Sequence, residues 1–316
     1  MTEILLPYLP ILAYTLVLLF ITLYAVLSSI EFGAAIYLAL PRPLITREQV
    51  EQYFGPVWES TNVFLIFSLV GLVMFFPAVV PYLAELYALA SVALLFFVVR
   101  VLGIFGIFYG DSKHPAFKAL FAIGSLGAPL ALSGAFYVSL TGTAPAVLPT
   151  TLLLAIWGAV VSAICILSAT FILHVARSQV DTARFARTQL VGSGVFLLCA
   201  AHILAFSPAL IQPGIVPLLA FTVILLSTSL AIVLRERTHP LAAFLAHALA
   251  VAALIYGTAL SHLPYLIYPV LSIETAFTAP EMFLAMLSVV PFGLLIAIPT
   301  IGLLWHLYAR SSILQQ

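Results

Sequence analysis

The sequence predicts an all-α integral membrane protein with nine transmembrane helices, and three observations carry that reading. First, 64% of the chain is hydrophobic and only 7% charged, with a mean hydropathy of +1.23, which is beyond the range of a water-soluble domain. Second, the apolar residues gather into nine runs, most of them near the roughly 20 helical residues that a bilayer core requires. Third, the basic residues occupy every second loop. Formal net charge is zero, so composition offers nothing to nucleic acid.

In chain order the runs are 8–40, 58–80, 82–108, 117–140, 149–176, 189–207, 213–234, 241–263 and 281–308. The first exceeds a single crossing, so it must tilt or project from the bilayer. Arg42 and Arg47 follow the first run, Lys113 and Lys118 flank the loop after the third, and Arg177, Arg184 and Arg187 follow the fifth. Arg235 and Arg237 follow the seventh and Arg310 the ninth, while the loops after the even-numbered runs carry no Lys or Arg. By the positive-inside rule the N-terminus lies outside and the C-terminus in the cytoplasm. Glu3, with no Lys or Arg before the first run, is unlike a cleavable signal peptide, so the first span is expected to be retained.

The second run opens with Gly55-Pro56-Val57-Trp58-Glu59-Ser60-Thr61-Asn62, where Pro56 suits a first helical turn and Glu59 a helix N-terminus. Ala25, Ser29 and Gly33 on the first span, and Gly106 and Gly110 on the third, form small-residue stripes for close helix packing. Pro129, Pro291 and Pro299 are candidate kinks. The segment Arg47-Glu48-Gln49-Val50-Glu51 resembles Arg177-Ser178-Gln179-Val180-Asp181 at an offset of 130 residues. That offset predicts one membrane domain over 1–316, made of parallel four-helix repeats at 1–140 and 149–263 with a ninth helix at 281–308. It superimposes Glu31, Glu59 and Arg100 on Val161, Gln189 and Leu230, so the charges belong to the first half alone.

Those charges are the candidate chemistry. Glu31 in the first span, Glu59 opening the second and Arg100 in the third all fall in the inner part of the membrane. Sequential helices usually pack as neighbours, which makes one cluster of the three geometrically plausible. Two readings stand: an ion pair that locks helices, or a proton inlet from the cytoplasm extended by Ser28 one turn before Glu31. Glu85, at the outer start of the third run, reads as interfacial. His174, His202, His239, His247, His262 and His306 are scattered, and only the eighth run carries two. Facing pairs that would hold haem are not evident, so no haem or metal is expected on this chain. Cys165 and Cys199 fit no metal spacing and read as small buried hydrophobes.

These residues resemble a known family, the second subunit of cytochrome bd-type quinol oxidases. The stretch from Gly55-Pro56-Val57-Trp58-Glu59 to Val63-Phe64-Leu65 is similar to that family's Pro-x-Trp-Asp-Gly-Asn-x-Val-Trp-Leu segment. Ile30-Glu31-Phe32-Gly33 resembles its Gly-Phe-Asp-x-Gly segment, and Leu95-Phe96-Phe97-Val98-Val99-Arg100-Val101-Leu102-Gly103 its phenylalanine–arginine run. Gly124-Ser125 to Pro129 and Gly134, and Ile298-Pro299-Thr300 to Trp305, follow in the same order. Glu replaces Asp at both acidic positions, Ser60 and Thr61 replace Gly-Asn, and Phe64 replaces a tryptophan, so the chain is a divergent member.

The resemblance implies a haem-free subunit that packs against a haem-bearing subunit I and shapes its proton and oxygen routes. In that implied complex the b-type and d-type haems belong to the partner, and quinol and O2 are its substrates. The resemblance leaves room for small single-span subunits as further partners and for a structural quinone. Glu31 and Glu59 take the positions of family acids tied to proton supply, and Arg100 that of the family's arginine. The implied setting is the cytoplasmic membrane of a prokaryote. A different class, a free-standing proton-coupled secondary transporter of two four-helix repeats, also fits the residues taken alone.

Overall fold

A computed structural model of the chain describes residues 6–109, 114–142, 150–206, 214–237 and 239–313, without the side chains of 52–60, 83–85, 294, 296–298 and 301–313. Among the described residues nine helices are 22 or more residues long. They are α1 (Leu9–Ala39), α2 (Arg47–Phe75), α3 (Leu83–Phe108), α4 (Pro115–Thr141) and α5 (Thr151–Val175). Then come α6 (Thr182–Phe206), α7 (Ile215–Glu236), α8 (Pro240–Ser261) and α9 (Pro280–Ile313). Seven of them are long and apolar enough to cross a membrane; the described apolar stretches of α2 and α9 are shorter, Thr61–Phe75 and Pro280–Gly293.

Local chemistry sets the helix ends. Sequence placed the start of the second helix near Pro56, but α2 begins nine residues earlier, at Arg47. The reason is a capping box. Thr46 Oγ1 accepts from the Gln49 amide at 3.3 Å while Gln49 Oε1 accepts from the Thr46 amide at 2.8 Å, satisfying two otherwise orphaned donors. Thr150 caps α5 one way only, its Oγ1 accepting from the Leu153 amide at 3.2 Å. Pro115 and Pro240 occupy the first positions of α4 and α8, where a missing N–H costs nothing. Gly142 ends α4 at φ 66°, a left-handed conformation in which a side chain would be strained. Pro129 and the pair Pro291 and Pro299 lie inside α4 and α9, which continue through them.

The core is built around α1, α5 and α8, whose most apolar windows are 50%, 67% and 50% buried; the corresponding windows of α3, α4, α6 and α7 are no more than 33% buried. The strongest pairings join α1 to α2, α3 to α4, α5 to α6, and α7 to α8, while α1 also packs on α4, α5 on α8, and α1 on α5. At the α1–α5 crossing Ser168 Oγ donates to Ile30 O at 2.9 Å and Tyr37 Oη to Cys165 O at 2.7 Å. Gly33 makes this crossing close: a Cβ there would fall on the Ser168 side chain and lie 2.9 Å from Ile164 O. The small-residue stripe of α1 is thus used within the bundle, with Ser29 buried beside it.

Between α8 and α9 the chain departs from the all-helical expectation. Strands β1 (Tyr265–Ile267) and β2 (Leu271–Ser272) form a small antiparallel hairpin. It joins a second apolar cluster in which Leu9, Val17, Phe75, Phe76, Ile273 and Phe283 meet. This cluster seals the end of the bundle where α1 begins and α2 ends.

Candidate functional site

Helices α1, α2 and α3 bring a carboxylate, a hydroxyl and a guanidinium together inside the bundle. Glu31 and Arg100 are 2% and 3% exposed, and Arg100 Nη2 donates to Glu31 Oε2 in a buried ion pair. Thr61 Oγ1 donates to the other oxygen, Oε1, at 3.1 Å. The Arg100 guanidinium lies 5.0 Å from the Phe32 ring centroid and 5.9 Å from that of Phe121, so aromatic faces replace water around the cation. An ionised pair in such surroundings costs several kcal/mol per ion in lost hydration, offset only when the geometry is good and the remaining lone pairs are used. Here both carboxylate oxygens have a donor.

Glycine on α4 makes that geometry reachable. A Cβ on Gly124 would lie 2.6 Å from Arg100 Cα, and one on Gly103 the same distance from Phe121 Cα. Gly106 meets the Phe117 ring and Gly127 the Phe96 ring in equally close contact. The backbones of α3 and α4 therefore touch at the depth of the ion pair, which fixes where Arg100 points.

Of the expected Glu31–Arg100–Glu59 cluster the structure brings Glu31 and Arg100 into contact, and it adds Thr61, which the sequence reading did not single out, as a ligand of the carboxylate. The available signal was its position two residues after Glu59 on α2. Ser28 is buried one turn before Glu31 but takes no part in the bonds to its carboxylate. Glu59 lies on α2, and its side chain falls outside the described residues, as does that of Glu85.

The second half holds a neutral counterpart. Gln189 on α6, the residue that the 130-residue offset pairs with Glu59, is fully buried. Its Nε2 lies 2.9 Å from His247 Nε2 on α8 and 3.5 Å from Ala231 O on α7. Among the described residues no three His, Cys, Asp or Glu side chains converge as a metal would require. Cys165 and Cys199 are free thiols.

Comparison with known proteins matches this architecture along almost its whole length. The chain is similar to a chain in the structure of bd oxidase from Geobacillus thermodenitrificans, with 26% sequence identity and a TM-score of 0.82, covering 95% of this chain and 98% of that one. No curated protein matches it in sequence. The family model for cytochrome bd terminal oxidase subunit II matches residues 9–308, the span that holds α1, the Glu31–Arg100 pair and most of α9, and the chain belongs to that family of multi-pass membrane proteins.

Proposed function

We propose that this chain is the haem-free second subunit of a quinol:O2 oxidoreductase in the cytoplasmic membrane of a prokaryote, stabilising a haem-bearing subunit I and supplying it with protons. The observation that carries this reading is the family match over residues 9–308. The same match, extending through both halves and α9, weighs against a free-standing transporter. Nine crossings with the N-terminus outside remain the topology favoured by the alternating basic loops. The helix pairings support two parallel repeats at 1–140 and 149–263, because α1–α4 and α5–α8 pack in the same order.

Assigning the b-type and d-type haems to the partner rests on the family match. An axial histidine needs a free ring nitrogen facing space for a porphyrin. His247 is fully buried with its Nε2 against Gln189, while its Nδ1 and both ring nitrogens of buried His262 have no hydrogen-bond partner among the described residues, so the absorption spectrum has to decide.

Protons enter, on this reading, at the cytoplasmic end of α2 and pass by Glu59, which the longer helix puts twelve residues beyond Arg47, toward Glu31 along a helix that also carries Thr61. The Glu31–Arg100 pair holds the three helices in register around that path. The test starts with gentle purification of the tagged chain and an absorption spectrum. A co-purifying haem-bearing subunit is expected; a lone colourless chain that moves a solute overturns the reading. In the intact complex, Glu59→Gln removes the titratable group while keeping its shape, so oxygen consumption should fall several-fold at unchanged haem content. Full turnover by the Glu31→Gln/Glu59→Gln double variant would leave only the helix-locking role.

A further inference from the structure

A cavity of about 800 Å³ opens where α1 ends and α6 begins, and the proton route makes no use of it. Its mouth carries Arg42, just past α1, with Arg184 and Arg187 on the first turns of α6. Its wall runs between α5 and α6 along Val161, Val191 and Val195. The floor is shallow because the two helices nearly touch: a Cβ on Gly158 would lie 2.6 Å from Cys199 Sγ, and one on Gly192 2.7 Å from Ile166 Cγ2. From Thr188 to Val195 the groove descends roughly 10 Å, at about 1.5 Å per helical residue. Half of a ~30 Å hydrocarbon core is ~15 Å, so the groove spans most of one leaflet.

Charge and shape together select the occupant. Arg184 shares its charge with Asp181 at 3.6 Å in an exposed pair, and among the described residues Arg42 and Arg187 have no carboxylate within salt-bridge reach. Three guanidinium groups against one carboxylate leave the mouth positive. Guanidinium forks match phosphate oxygens geometrically and attract anionic headgroups at the membrane surface. We propose that this cavity is a specific site for an anionic phospholipid, its headgroup phosphate held by Arg42, Arg184 and Arg187 and one acyl chain laid in the α5–α6 groove. A zwitterionic lipid leaves the positive mouth uncompensated, and a neutral prenyl quinone offers it no phosphate.

The test uses the intact oxidase complex, stripped with mild detergent and offered vesicles of phosphatidylcholine with or without phosphatidylglycerol, followed by native mass spectrometry. Retention of one phosphatidylglycerol per copy of this chain, at least tenfold over phosphatidylcholine, is expected. Arg42→Gln/Arg184→Gln/Arg187→Gln should abolish that preference, and Arg187→Gln alone should weaken it if the triple variant fails to assemble. Val195→Trp, which fills the groove and keeps the arginines, should also lower retention. Equal retention of the two lipids, an undiminished preference in the arginine variants, or a co-purified quinone in the cavity overturns the proposal. Displacement of the lipid by millimolar inorganic phosphate also overturns it, since a headgroup-only site needs no acyl groove.

Discussion

At the scale of the residue, the Glu31–Arg100 pair behaves as one object. Each charge is tolerable only because the other is there, and the Thr61 hydroxyl takes the second carboxylate oxygen. Removing one partner strands a buried ion, a change that costs about 3–5 kcal/mol in comparable interiors. Arg100→Gln and Glu31→Gln should therefore each lower the melting temperature of the complex sharply. The double variant should lose less than the sum of the two, a coupling that a double-mutant cycle measures. Additive losses would mean that the two charges do not depend on each other. Thr61→Val should cost less than either, because the carboxylate keeps its cation.

At the scale of the element, the decisive feature is the glycine contact between α3 and α4. Gly124→Ala adds a methyl where Arg100's backbone already sits, and overpacking of this kind costs about 1–3 kcal/mol. Gly194 on α6 has nothing within 4 Å of its would-be Cβ. Gly194→Ala should therefore gain up to ~1 kcal/mol of helix propensity. Opposite shifts in thermal stability are the expected result, and a neutral Gly124→Ala would show that α3 and α4 sit farther apart. Helices were legible in the sequence because a bilayer demands long apolar runs, and Glu31 and Arg100 because a charge inside such a run stands out. The extra turns of α2 before Pro56 were not, because a polar capping box outside the apolar run carries no hydropathy signal. The contact role of Gly103, Gly124 and Gly127 escaped as well: spacing shows a small-residue stripe on one helix, but the backbone it meets on another belongs to tertiary packing. The β1–β2 hairpin was read as loop, its strands being too short for an alternating pattern.

At the scale of the whole molecule, α1 and α5 form a spine on which the other helices lean. The proposed haem-free role makes a firm demand on this architecture. His202→Ala and His247→Ala should leave the haem bands of the purified complex unchanged. His247→Ala should also lower heat stability, because it strands the buried Gln189 amide at a cost of about 1–3 kcal/mol. Loss of a haem band in either assembled variant would return that histidine to the list of iron ligands. The spine also has a history in time. Glu31 and Arg100 stand 69 residues apart in the chain. At a ribosomal pace of ~5–20 residues per second, the acid emerges roughly 3–14 s before its cation. For that interval α1 is a helix with an unanswered charge, a poor candidate for release into lipid on its own. The expected consequence is that α1 waits beside the insertion machinery until α3 arrives, and that α1, α2 and α3 enter the lipid as one unit.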